Sequence, residues 1–119
     1  MLDTEFLTQA HINVTEGLAR FAGKEVLYEK YLFKFLEDNH FELTLEDYAA
    51  KDYEKLLTDV HPLKGIVGTL GMNTLFEATD ALVRAIRAGQ FDKLEALMEP
   101  FQSEFHIVYE ALETLSRRQ

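Results

Sequence analysis

Near the C-terminal end of the chain, Leu94, Met98, Phe101, Phe105, Val108, Leu112 and Leu115 are separated alternately by four and three residues. That repeat lays one continuous apolar seam along a helix. A helix cannot bury such a seam alone, so the remainder of the chain must supply helical partners for it. It carries three such patterns. Leu56, Val60, Leu63, Val67 and Leu70 share one arc of a helix predicted from Tyr53 to about Leu70. Leu75, Phe76, Thr79, Leu82, Val83 and Ile86 share a face of the next, which runs from Asn73 to Gly89. Leu27, Tyr28, Tyr31, Leu32 and Phe35 form a stripe on a helix from Lys24 to about Asp38. No strand-like alternation is sustained, and no Val- or Ile-rich run is bounded by turn residues. The predicted fold is all-α: an antiparallel up-down four-helix bundle with one or two short N-terminal helices, forming a single domain over residues 1–119.

Local signals place the boundaries. Asn13 is predicted to cap a brief second helix, with Glu16 completing a capping box, and Thr44 with Asp47 resembles a second box. Asp52 and Asn73 are candidate caps, while Gly23, Asn39, Gly71 and Gly89 are candidate stops. Asp80 and Arg84 are spaced to pair on the outer face of their helix. Pro100 lies inside the last helix and is expected to bend it.

Composition excludes whole classes of function. Twelve basic residues stand against 21 acidic ones, and the net charge of -9 repels phosphate backbones and anionic headgroups. Nucleic acid and membrane surfaces are therefore not expected partners. With no cysteine, thiolate metal sites, disulfide scaffolds and cysteine nucleophiles are absent. The first residues, MLDTEFLTQA, are acidic where a signal peptide would be basic, and no apolar run is long enough to span a bilayer. The expected location is the cytoplasm.

The stretch HPLKG, His61 to Gly65, conflicts with its surroundings. In a helix interior Gly costs about 1 kcal/mol and Pro about 3 kcal/mol relative to Ala. On a helical projection His61 points away from the apolar arc. Lys64, Gly65 and Gly68 fall near it, and Leu57 and Thr58 lie one turn before. An exposed histidine flanked by two missing side chains implies that something approaches the backbone closely there. Lys64 places an ammonium where it could meet a negative charge on the imidazole. A lone exposed histidine is ordinarily plain surface, which is the reading for His11, His40 and His106. The company of His61 points instead to phosphoryl chemistry.

These residues resemble the histidine-containing phosphotransfer domain of multistep two-component signalling. The family motif is a histidine followed by Leu, Lys and Gly, then Leu-Gly, and His61, Leu63, Lys64, Gly65, Leu70 and Gly71 occupy those places. The likeness extends through NVTEGLARFAGKEVLYEKYLFKFLED before the motif and ALVRAIRAGQFDKLEALM after it. The resemblance implies that His61 accepts a phosphoryl group from a receiver-domain aspartate and passes it to another receiver. Lys64 would neutralise the phosphate, while Leu57, Thr58, Gly65 and Gly68 would belong to the docking surface. It further implies response-regulator receivers and a hybrid sensor histidine kinase as partners, and a monomer without autonomous kinase activity. No cofactor is implied on this chain, Mg2+ being held by the receiver. Pro62 departs from the family, and its ring is expected to bend the helix beside His61 or, as an alternative, to start a new one.

Other classes fit less well. A docking module that binds a receiver without carrying phosphate shares the fold but leaves His61 without a use. A di-metal bundle enzyme needs two Glu-x-x-His units, and only Glu37 to His40 has that spacing. A Ser-His-Asp hydrolase lacks a strained nucleophile turn, and a histidine kinase lacks room for an ATP-binding domain.

Overall fold

In the computed structural model, which describes residues 2–118, all regular structure is helical. The elements are α1 (Thr4–Gln9), α2 (Val14–Arg20), α3 (Glu25–Lys34), α4 (His40–Ala49), α5 (Tyr53–Thr69), α6 (Asn73–Arg87) and α7 (Leu94–Arg117). Short 3-10 turns at Phe35–Glu37 and Phe91–Lys93 precede α4 and α7. Every residue of the C-terminal seam is buried on α7, and α4 to α7 pack as successive neighbours. The predicted four-helix bundle is therefore the observed one, with α1 and α2 as its short N-terminal helices. Its fourth member is broken into α3, the 3-10 turn and α4. The break closes on α7 through aromatic rings, Phe41 stacking on Phe105 at 3.7 Å and Phe35 tilting against it at 5.7 Å. Among the described residues no helix is long and apolar enough to cross a membrane.

The break comes from Asp38. Its backbone is extended, and its carboxylate accepts bonds from the His40 amide at 3.0 Å and pairs with His40 Nδ1 at 2.8 Å. A side chain that meets the first free amide of a new helix ends the old one. Thr44 is accordingly inside α4 and is not a cap: its hydroxyl is buried and donates to the His40 carbonyl at 2.7 Å. The stripe on α3 is narrower than its spacing implies, with Tyr28 and Leu32 buried but Leu27 and Tyr31 about two-fifths exposed.

Caps follow the sequence at Asn13 and Asp52, whose side chains accept from the amides of Glu16 and Lys55. At α6 the cap position falls one residue early, on Met72. Asn73 instead donates to Glu16 Oε2 at 2.8 Å, which draws Glu16 away from Asn13 and ties α2 to α6. The C-terminal end of α5 is held from outside. The buried Tyr28 hydroxyl donates to the Leu70 carbonyl and the Asn13 amide to the Gly71 carbonyl, each at 2.7 Å. Burial pushes the Tyr28 hydroxyl up to about 12, so it remains a donor throughout the ordinary pH range.

Between α4 and α5, Lys55 Nζ bridges Asp47 and Asp59 at 3.0 Å each. Asp47 is only 5% exposed, and its Oδ2 meets no donor among the described residues. Burial, followed by the neighbouring Asp59, holds its carboxyl above the ordinary range. Asp59 is held low by the adjacent Asp47 carboxyl, then by Lys55, with His40 acting in the same direction.

Two outcomes follow for stability. Tyr28→Phe leaves the Leu70 carbonyl unpartnered and should cost about 1–3 kcal/mol in urea melts at neutral pH. Because the folded pKa of Asp47 lies above its unfolded value, its ionisation opposes folding at higher pH, and that opposition disappears as pH falls through the raised pKa. Asp47→Asn should therefore melt higher than the wild type at pH 8, with the advantage narrowing on acidification; thermal scans across pH test it.

Candidate functional site

Helix α5 turns one face inward, burying Leu56, Val60, Leu63, Val67 and, at its cap, Leu70. The opposite arc carries Thr58, His61, Pro62 and Gly65, all exposed. The helix runs through Pro62 without interruption, so His61 is not the cap of a second helix. Helix α7 likewise continues through Pro100.

Each of the other three histidines is tied into the fold. His11 pairs with Glu104 at 2.8 Å, His40 with Asp38 at 2.8 Å, and His106 presents its edge to the rings of Phe41 and Phe105. The sequence reading as plain surface did not show these ties: Glu104 and Phe41 lie on other elements, Asp38 lies across a helix break, and Phe105 precedes His106 on α7. Among the described residues, His61 makes no hydrogen bond, ion pair or ring contact. Its imidazole stands in the middle of a 17-residue helix with both ring nitrogens open to an incoming group.

The residues predicted around it have different surroundings. At Gly65 a Cβ would meet nothing within 4 Å. At Gly68 a Cβ would lie 2.9 Å from the Phe76 ring, so the missing side chain there makes room for α6. Thr58 is exposed and its hydroxyl donates back to the Glu54 carbonyl at 3.2 Å, whereas Leu57 is half-buried against the core. Lys64 is directed sideways: its Nζ lies 3.0 Å from Asp80 Oδ1 and 5.9 Å from the centre of the Phe76 ring. Asp80 also pairs with Arg84 at 3.2 Å, as its spacing predicts, but its link to Lys64 crosses between helices and could not be read from either helix alone.

Gly65 belongs to the walls of two open grooves. One, of about 650 Å3, is walled by Phe21, Tyr31 and Phe35 on one side and by Pro62, Ile66 and Leu70 on the other, with Lys34, Glu37 and Asp38 at the polar edge. The second, of about 440 Å3, contains Arg20, Lys64, Asn73, Phe76 and Glu77. Pro62 thus contributes an apolar wall beside His61, a position that periodicity did not reveal. Chemically, the arrangement offers one unpartnered imidazole on a surface lowered at Gly65, with the ammonium of Lys64, one helical turn on, held by Asp80. Among the described residues no group of three or more His, Asp or Glu side chains is placed to hold a metal ion. Comparisons with protein-family models, curated proteins and solved structures find no match.

The two glycines should separate in melting experiments. Gly65→Ala relieves helix entropy without a clash and should stabilise by about 0.5–1 kcal/mol. Gly68→Ala gains the same helix preference but must displace Phe76, and should melt below Gly65→Ala.

Proposed function

We propose that this domain is a phosphoryl carrier with His61 as acceptor, exchanging the group with aspartates of response-regulator receiver domains in a multistep phosphorelay. The observation that carries the reading is the isolation of His61. It alone among the four histidines has no partner within the described structure, and it stands beside Gly65, whose lack of a side chain no packing contact explains.

The chemistry is a single displacement at phosphorus. A lone pair on one imidazole nitrogen forms the N–P bond while the bond from phosphorus to the aspartyl oxygen breaks, and that electron pair leaves with the carboxylate. The proton on the other ring nitrogen exchanges with water. The neutral imidazole carries that lone pair and is the nucleophilic form. The reverse displacement returns the group to a second receiver, so the carrier makes no net product. In-line approach requires the acceptor to reach deep into the partner's site, and Gly65 gives the partner's loops space beside the imidazole. Lys64 supplies compensating charge, Leu57, Thr58 and Gly68 border the contact surface, and the metal ion of the reaction belongs to the receiver. A hybrid sensor kinase would feed this relay, with the domain acting as a cytoplasmic monomer.

The test is incubation with receivers carrying labelled phosphate. Acid-labile, alkali-stable label should appear on the wild type and be lost in His61→Gln, and a bulky residue at Gly65 should slow its appearance while circular dichroism remains helical. Binding to receivers without label on His61 would instead mark a docking module.

A further inference from the structure

The position of Lys64 raises a question about how it serves the phosphoryl group. Its ammonium is engaged by Asp80 at 3.0 Å on the neighbouring helix, and both side chains are largely shielded, at 28% and 22% exposure. The second oxygen of the same carboxylate faces Arg84 Nε at 3.2 Å, and the Arg84 side chain is 75% exposed. Other charged groups in the adjoining groove are Glu16, Arg20 and Glu77, but Glu16 is occupied by Asn73 and by Arg20 at 4.0 Å. It is Asp80 that holds the ammonium.

Lys64 is one helical turn beyond His61, so its flexible stem can carry the ammonium along the face of α5. A carboxylate with one cation would be left uncompensated if that cation moved. Asp80 has two, and Arg84 remains when Lys64 departs. The attraction between charges scales with their product, so a phosphoryl group of charge near -2 outcompetes a monoanionic carboxylate for the same ammonium.

We infer that Asp80 is a positioning residue: it parks Lys64 while His61 is free, and releases it to the phosphoryl group once His61 is modified, with Arg84 setting how readily it lets go. The inference rests on the proposed role of His61 and adds a charge exchange that is reset each time the phosphoryl group leaves. The unmodified domain thereby keeps the ammonium away from the imidazole, where it would otherwise oppose approach of a receiver's own cations.

The test needs no receiver. Phosphoramidate phosphorylates imidazole as the ring nitrogen forms the N–P bond and ammonia leaves with the electrons of the old one. The second ionisation of the phosphoryl group on His61 is then followed by 31P NMR, with His61→Gln identifying the signal. A nearby ammonium lowers the proton affinity of the phosphoryl group, so Lys64→Ala should raise it. Asp80→Asn frees Lys64 and should lower the proton affinity by about two- to fivefold, the range of a partly exposed ion pair. Arg84→Ala leaves Asp80 with Lys64 alone and should raise it. Both Asp80 and Arg84 effects should shrink to a small residue in the Lys64→Ala background, since a double-mutant cycle isolates what passes through Lys64. Effects of the same size with and without Lys64, or none in either single variant, would overturn the inference. Those results would leave the carrier reading intact, because that reading fails only if receivers do not label His61.

Discussion

The carbonyls at the C-terminal end of a helix lie beyond the reach of its own amides, and the two that follow α5 are each taken by a donor from another element. The Leu70 carbonyl receives the Tyr28 hydroxyl and the Gly71 carbonyl receives the Asn13 amide. Apolar seams tolerate small rotations and slides, whereas two directional bonds at one end do not. Two glycines follow from this joint. The Tyr28 ring occupies the space where a side chain on Gly17 would stand, and Gly71 adopts φ +81° with its missing Cβ directed at the Asn13 carbonyl. Asn13 at the cap of α2 and Tyr28 on α3 thus clasp the C-terminal end of α5, whose exposed arc carries His61.

Long-range periodicity was the legible part of the fold. The α7 seam and the inner arc of α5 are buried where the spacing places them, because a residue every three or four positions on a long helix has one side on which to be buried. Short-range signals were less reliable wherever a side chain had a choice of partner. Thr44 resembles a cap in sequence but bonds back within its helix, and Asn73 bonds to Glu16 across the structure. Leu27 and Tyr31 continue the α3 stripe in sequence, yet each is left about two-fifths exposed while Tyr28 and Leu32 are buried.

At the site, His61 could be singled out by its sequence company, but the reason it differs from the other three histidines is tertiary. Glu104 reaches His11 from 93 residues away, and the rings around His106 come from α4 and from its own helix. The pairing of Gly65 with Gly68 in sequence joined two positions that the fold separates: Phe76 accounts for one and nothing packed accounts for the other. Asp80 shows the converse. Its partner Arg84 lies one turn away and is visible in one helix, whereas Lys64 belongs to another.

Residues that disfavour a helix are informative when packing does not explain them. Gly68 loses its anomaly once Phe76 is in place. Pro62 lacks the amide that would bond to Thr58, but both residues face solvent, so water can take the freed carbonyl and the cost falls below that of a buried proline. Its ring forms a wall of the larger groove, which fills no space in the core. Gly65 has neither a close neighbour nor an unusual backbone angle to justify it. The two departures that folding leaves unexplained therefore flank one unpartnered imidazole on one exposed arc of α5. In the proposed relay, Gly65 leaves that arc open to a receiver approaching His61, whereas Pro62 has no counterpart in the family and folding gives no reason for it.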